Sequence, residues 1–269
     1  MPLRGTTFAS YFVVERINRG GMADIYLATD GNDQKVVLRA LLPSLRFHWT
    51  SRRRFRWGCE VESQLNHPNI ARCIEHGKFR GYPYAVLEYI NGPNLKECIL
   101  RTEPILAQHR LHLLVGMAAG LAHIHERGFM HLDFKPENVL VTRDAEPKII
   151  DFDLALLRPE EPKRTSKLSG TPAYLAPEQI MREPVDERAD IFAFGITAYE
   201  MLTGKKPITG NTIHEVIGKY AQFENHLKPL RAHIPDIPHT IERVILKCLE
   251  RDVTRRYPTM GLVVRDLQS

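Results

Sequence analysis

The sequence predicts an α+β fold, with strands gathered in the first third of the chain and helices filling most of the rest. Three observations carry this. Tyr11-Phe12-Val13-Val14 running to Ile17, Ile25-Tyr26-Leu27-Ala28 and Val36-Val37-Leu38-Arg39 read as strands, separated by a glycine-containing loop at Asn18–Ala23 and a turn at Asp30-Gly31-Asn32-Asp33. From Arg110 onward, Leu111, Leu114, Val115, Ala118, Leu121, Ala122 and His125 recur with a helical period, and Arg127-Gly128 signals the stop. The apolar run Ile191–Leu202 suits a helix covered on all sides, closed by Gly204 and Pro207.

The other elements follow in order. A helix is expected over Arg52–Leu65, ahead of Asn66-His67-Pro68-Asn69-Ile70, and a strand over Tyr84–Ile90 that breaks at Asn91-Gly92-Pro93. Val139-Leu140-Val141 and Lys148-Ile149-Ile150 form a strand pair, and shorter helices are expected over Thr212–Ala221, His239–Leu249 and Thr259–Leu267.

The chain has 269 residues, enough for one large domain or two lobes with a substantial core. Its 43% hydrophobic and 26% charged residues are ordinary for a soluble globular protein. A formal charge of +5 suits polyanionic ligands, nucleotides included, but gives no sign of nucleic-acid binding. Cys59, Cys73, Cys98 and Cys248 are scattered with no CxxC pair, which predicts reduced, mostly buried thiols in a cytoplasmic setting. No signal peptide opens the chain and no apolar run is long enough to span a bilayer. The basic run Arg52-Arg53-Arg54-Phe55-Arg56-Trp57 reads as a solvated helix face or a docking site for an acidic partner, unfavourable for the helix dipole. His123 and His125 diverge on their helix, which argues against a metal site there.

The densest chemistry lies in His131-Leu132-Asp133-Phe134-Lys135-Pro136-Glu137-Asn138, followed after the strand pair by Asp151-Phe152-Asp153. This arrangement suits phosphoryl transfer. Asp133 can orient a hydroxyl, Lys135 can neutralise charge on the moving group, and Asn138 and Asp151 offer hard oxygens for magnesium.

The segment resembles the catalytic loop of the eukaryotic-like (Hanks-type) Ser/Thr protein kinases, H-R-D-x-K-P-x-N followed by D-F-G, with Leu132 in place of Arg and Asp153 in place of Gly. The resemblance runs from about Tyr11 to Leu267. It implies a bilobal kinase fold occupying residues 1–269, with an N-lobe over about 8–90, a hinge at 88–92 and a C-lobe over about 93–269. It also implies Mg2+ and ATP as cofactors, and protein substrates with Ser or Thr acceptors. The catalytic residues are then Asp133, Lys135 and Thr171, with Asn138 and Asp151 on the metal.

The nucleotide side is less regular. The glycine loop matches its family pattern only at Gly20, with Asn18 and Ala23 at the outer glycine positions and Gly21-Met22 between. Arg39 stands at the phosphate-binding lysine, and Gly58 at the helix position of that lysine's glutamate. Glu62 lies one turn further on the same face, so Arg39 either pairs with Glu62 or both positions have decayed. A charged hydrogen bond is worth about 1.5–3 kcal/mol, roughly ten- to a hundredfold in rate, so weakening this pair would slow the chemistry without abolishing it. If the chain is an active kinase, phosphoryl incorporation is expected to be kept or raised in Arg39→Lys and abolished in Asp151→Asn. Asp153 can reach a left-handed conformation and implies a reduced range of motion for its segment. In the hinge, Leu87 is the gatekeeper, and the Glu88 carbonyl and Ile90 N–H would hold adenine. Ile17, Ile25, Val37 and Leu140 would sandwich the base.

Leu154–Glu178 resembles an activation segment ending in Gly170-Thr171-Pro172-Ala173-Tyr174-Leu175-Ala176-Pro177-Glu178, with Thr171 bonded to Asp133 and Lys135. Thr165, Ser166 and Ser169 are its phosphorylation candidates, and Leu132 removes the usual partner of a phosphate there. Arg256 fits the structural arginine that pairs with Glu178. Three readings remain open: an active Ser/Thr kinase, a pseudokinase that binds nucleotide or acts as a scaffold, and a small-molecule phosphotransferase. Gly170–Glu178, a peptide-docking segment by this resemblance, argues against the third.

Overall fold

Strands lying between Thr7 and Glu88 build an antiparallel sheet in the computed structural model, which describes residues 4–164, 170–207, 215, 218–219 and 227–269. Its strands are β1 (Thr7–Phe8), β2 (Tyr11–Arg19), β3 (Ala23–Thr29), β4 (Lys35–Leu41), β5 (Cys73–Phe79) and β6 (Tyr82–Glu88), in the order β1-β2-β3-β4-β6-β5. Bulges in β2 bend it ahead of the glycine loop. Strand β5 is missing from the sequence reading because Cys73-Ile74-Glu75-His76-Gly77-Lys78-Phe79 is half to fully exposed and lacks an apolar alternation.

Each face of this sheet has its own core. Phe8, Tyr11, Val13, Tyr26, Leu38, Tyr84 and Val86 fill one. On the other, Ala23, Leu41, Ala85 and Leu87 pack with Phe55 and Cys59 of helix α1 (Trp49–Ser63). The buried residues Phe55, Gly58, Cys59 and Glu62 recur every three or four positions, so α1 turns a single stripe toward the sheet. The helix begins earlier than expected, at Trp49, so the arginine run lies just inside it rather than opening it. Arg53 and Arg56 are solvent-exposed, Arg53 lying over the Trp49 ring at 5.5 Å.

Contacts divide the chain into a small unit, Met1–Asn91 with Asp151–Ala155, and a large unit, Gly92–Ile150 with Leu156–Ser269. After the short helices α2 (Leu95–Leu100) and α3 (Pro104–Gln108), the large unit is built on α4 (Arg110–Glu126) and, beyond the one-turn α5 (Pro177–Ile180), on α6 (Arg188–Thr203), against which pack two later helices, α7 (His239–Cys248) and α8 (Met260–Gln268). Every residue of α6 from Ala189 to Met201 is buried, the polar Asp190, Thr197 and Glu200 included. The buried face of α4 differs from the expected one: Leu113, Leu114, Met117, Ala118, Leu121, Ile124 and His125 are inside, while Leu111 is exposed and Val115 and Ala122 are only half-buried. Neighbours on more than one side widen the buried stripe beyond a single period. The helix expected over Thr212–Ala221 lies, isolated positions apart, outside the described residues, as do Thr165, Ser166 and Ser169.

The first residue of the large unit, Gly92, can only be glycine: a Cβ there would stand 1.8 Å from the Val141 carbonyl oxygen. Pro93 then accepts a hydrogen bond from Val141 N–H (2.9 Å), anchoring the incoming chain to the strand pair β8 (Val139–Val141) and β9 (Pro147–Ile149). Among the described residues no helix is long and apolar enough to cross a membrane. Cys59, Cys98 and Cys248 are buried free thiols and Cys73 is half-buried.

Candidate active site

In the large unit, α4 delivers the chain through a short strand (Phe129–Met130) to the loop His131–Asn138. Its shape depends on one buried carboxylate, Asp190 in the first turn of α6. Asp190 accepts hydrogen bonds from the backbone N–H groups of His131 and Leu132 (both 2.7 Å) and lies 2.9 Å from His125 Nε2. Burial alone would raise its pKa, but the His125 contact and the backbone donors outweigh that and hold Asp190 below the usual carboxylate range. These donors fasten Leu132 in a left-handed conformation (φ 59°), strained for a leucine. The His131 ring is set from both sides, Nε2 meeting the Ile150 carbonyl at 3.2 Å and Nδ1 accepting the Asp133 N–H at 3.2 Å. Asp190 directly precedes the run Ile191–Leu202 that the sequence marks as a buried helix, and sequence reading gave it no role of its own. Its acidic side chain in an otherwise apolar run was the signal available.

On this frame the catalytic-loop side chains converge. Lys135 Nζ donates to Asp133 Oδ2 (2.7 Å) and to Thr171 Oγ1 (2.9 Å), and the Thr171 hydroxyl reaches Asp133 Oδ1 at 3.5 Å. Asn138 is buried and donates its amide N–H groups to the Asp133 carbonyl (2.8 Å) and Asp133 Oδ2 (3.1 Å), which leaves its oxygen as the remaining ligand atom. Further out, Arg256 and Glu178 form a buried bidentate pair, with Nη1–Oε1 at 2.7 Å and Nη2–Oε2 at 3.2 Å, and the guanidinium also lies over Phe192.

The small unit holds the other residues. Arg39, in the middle of β4, is buried and surrounded by carboxylates: Nη1 donates to Glu62 Oε2 (3.3 Å), and Nη2 is 3.4 Å from Asp151 Oδ1 and 3.1 Å from Asp153 Oδ1. The Asp153 contact is an ion pair whose alignment falls short of a hydrogen bond. Burial works against the charge on Arg39, but Asp153, Glu62 and Asp151 together push its pKa well above the ordinary value. For the acids the balance runs the other way. Burial raises Glu62 and Asp153 each to about 7, even against Arg39. Glu62 Oε1 has no hydrogen-bond partner, in keeping with a carboxyl that holds its proton readily.

Of the two alternatives for Arg39 and Glu62, the structure gives pairing. Gly58 explains the displaced glutamate: a Cβ at 58 would lie 2.8 Å from Asp153 Oδ1 and 3.0 Å from the Phe152 carbonyl. The segment is further held where Trp57 Nε1 donates to the Ala155 carbonyl (2.9 Å). Asp151 itself has φ 68°, and its carboxylate remains 40% exposed despite Arg39.

The remaining expected residues divide between the units. Strand pairing puts Ile25, Val37, Arg39, Ala85 and Leu87 on one face of the sheet, since Ile25 opposes Arg39 and Val37 opposes Leu87. Ile25 and Val37 are half-buried, Leu87 is buried, and Ile17 is 48% exposed. In the glycine loop Gly20 N–H bonds to the Ala23 carbonyl (2.8 Å), and Gly21 is exposed. Asp24 is fully buried beside this loop and ion-paired with Arg19 (2.8 Å) and Arg16 (3.6 Å), a brace that sequence reading did not single out. Glu88 and Ile90 are half-buried, and the Glu88 N–H and side chain both engage Arg72 backbone, at 3.0 Å each. Leu140 belongs to the large unit, half-buried in β8.

A curled-sheet unit with one main helix, a helical unit, and a loop carrying Asp133, Lys135 and Asn138 define the class. The protein kinase domain family matches residues 11–266, and the chain belongs to it. It is 31% identical over 265 residues to the serine/threonine-protein kinase PrkC of Bacillus subtilis, covering 96% of this chain and 40% of PrkC. With the probable serine/threonine-protein kinase PknB of Lactococcus lactis it shares 28% over 267 residues, 98% of this chain and 42% of that protein. The tyrosine-protein kinase MasK of Myxococcus xanthus is 32% identical over 269 residues, 94% of this chain and 41% of MasK. The chain therefore spans about two-fifths of the length of these relatives. Among solved structures, a double mutant of the Mycobacterium tuberculosis PknI kinase domain superposes with TM-score 0.73 at 25% identity, over 99% of this chain and 97% of that one.

Proposed function

We propose that this chain is a protein serine/threonine kinase that moves the γ-phosphoryl of ATP to a protein hydroxyl. One observation carries the reading: Lys135 Nζ is bonded at once to Asp133 and Thr171. That cation fixes the Asp133 carboxylate, which accepts and orients the acceptor hydroxyl, and it offsets charge on the transferred group. Thr171 braces both and belongs to the segment that would receive the peptide. On the nucleotide side, the Gly20-Gly21 backbone, with Ala23 behind it, would cradle phosphates, and Arg39 would clamp them. The base would lie against Ile17, Ile25, Val37, Leu87 and Leu140, with the backbone of Glu88 and Ile90 in a hinge over 88–92 as its polar edge.

Asn138 in the large unit and Asp151 in the small one are each donors of the kind magnesium takes. The Asn138 amide has both N–H groups engaged, and the Asp151 carboxylate is partly open, so two hard oxygens are available. Magnesium held there would neutralise phosphate charge, while Arg39 keeps the Asp151 side chain oriented.

A second reading, a nucleotide-binding scaffold, is favoured by Asn18, Arg39, Gly58, Leu132 and Asp153. A radiolabelled ATP assay with an acceptor protein separates the two. Transfer by the native chain, lost in Asp151→Asn and recovered as phosphoserine or phosphothreonine, supports the kinase. Phosphotyrosine would move the acceptor class toward the activity for which MasK is named. ATP binding without transfer in any sample supports the scaffold. A cytoplasmic setting and protein substrates belong to the same proposal.

A further inference from the structure

We propose that Gly58, Glu62 and Asp153 are positioning residues for Arg39, a set of mutually dependent replacements that rebuilds the phosphate clamp around arginine instead of lysine. This rests on the kinase reading only for the purpose of the clamp. The arrangement itself stands on contacts within the small unit.

Each member makes room or need for another. A guanidinium is a flat fork whose nitrogens point in different directions, so a buried one requires acceptors on more than one side. Glu62 meets Nη1, and Asp153 with Asp151 meets Nη2. The Phe55 ring, 5.6 Å from the guanidinium carbon, adds a cation–π contact. Asp153 can hold its place only because position 58 has no side chain, its Oδ1 lying 2.8 Å from where a Cβ would be. With 58 reserved for that carboxylate, a glutamate in α1 can reach the cation only from one turn later, where Glu62 stands. The shorter lysine, a compact single charge, would leave one of these buried acids without its cation. On this proposal Arg39→Lys alone lowers activity, the opposite of the expectation that it keeps or raises it.

The set also accounts for a tied Asp151-Phe152-Asp153 segment. Arg39 grips it from β4, Gly58 leaves room for it beside α1, and Trp57 holds Ala155. Orientation of Asp151 is a consequence of the set.

The test is a mutational cycle on the full chain: Arg39→Lys, Asp153→Gly, their double, Gly58→Ala, Gly58→Ala/Asp153→Gly, and the reversion Arg39→Lys/Gly58→Glu/Glu62→Gln/Asp153→Gly. ATP dissociation constants by calorimetry, with and without Mg2+, and thermal midpoints are read on every variant, alongside kcat and KM. Arg39→Lys and Asp153→Gly each weaken ATP binding or kcat/KM roughly ten- to a hundredfold, and the double loses no more than the worse single. Gly58→Ala is harmful alone, and the harm shrinks when Asp153 is absent. The reversion regains much of what Arg39→Lys alone loses. Multiplying effects in the double, or an Asp153→Gly protein indistinguishable from the native chain, would overturn the proposal. If the native chain binds ATP but transfers nothing, the kinase reading fails while the cycle is still decided by affinities and midpoints. If it transfers and the effects multiply, the positioning set alone is wrong.

Discussion

In the large unit a single buried carboxylate, Asp190, gathers donors from His125, His131 and Leu132. In the small unit a single buried cation, Arg39, gathers Glu62, Asp151 and Asp153. The first arrangement carries a loop in which Asp133, Lys135 and Asn138 all keep the family's letters. The second is assembled from positions of which three, Arg39, Gly58 and Asp153, depart from them. The contrast teaches that a departure need not be decay. Where three exchanges fit one another to within contact distance, they are best judged as a set, and on the proposal above Arg39→Lys alone lowers activity rather than keeping it.

The comparison can be broken most sharply in the loop. Asp133→Asn should lower kcat about 10²–10⁴-fold with the thermal midpoint nearly unchanged, because it removes an orienting acceptor and leaves the frame intact. A similar kcat in a coupled ATPase-corrected transfer assay would place the acceptor chemistry elsewhere.

Next comes the frame itself. Arg256→Ala strands the Glu178 carboxylate in the interior, and urea unfolding should show a loss of about 3–5 kcal/mol. A change within error would mean that water reaches the pair after the truncation.

The small unit is sharpened by pH. Glu62 has a folded pKa of about 7 against an ordinary 4.5, so the folded state binds a proton that the unfolded chain has already released over that interval. Its contribution to stability is present below about 4.5 and is lost as pH rises through about 7. Midpoints of the native chain should therefore fall relative to those of Glu62→Gln between pH 5 and 7, in differential scanning fluorimetry. Parallel curves would show that Arg39 keeps Glu62 ionised throughout.

The smallest effect is expected in the loop that Leu132 leaves without a phosphate partner. Replacing Thr165, Ser166 and Ser169 together by alanine should leave transfer unchanged. Loss of activity with an intact midpoint would mean that another cation reads a phosphate there.

The loop was legible because its chemistry is local. Asp133, Lys135 and Asn138 lie within a few residues of one another, and the Gly170–Glu178 stretch marks Thr171 by its own spacing. The sheet was legible in the strands whose inward residues alternate, and β5 escaped because its residues face water on both sides. Glu62 could be found by counting one helical turn from Gly58. The tie from Gly58 to Asp153 could not, since it is a contact between segments far apart in the chain and glycine carries no side chain to announce a partner. Leu111 was misplaced for the opposite reason: α4 is covered on several sides, and a periodicity argument assumes one.

Both tryptophans of the chain, Trp49 and Trp57, sit on α1, the first 68% exposed and the second bonded to the Ala155 carbonyl. Tryptophan fluorescence is therefore a private channel to this one helix and the stretch it grips. In a Trp49→Phe background the emission maximum of the remaining indole becomes an optical gauge of whether Ala155 has been let go.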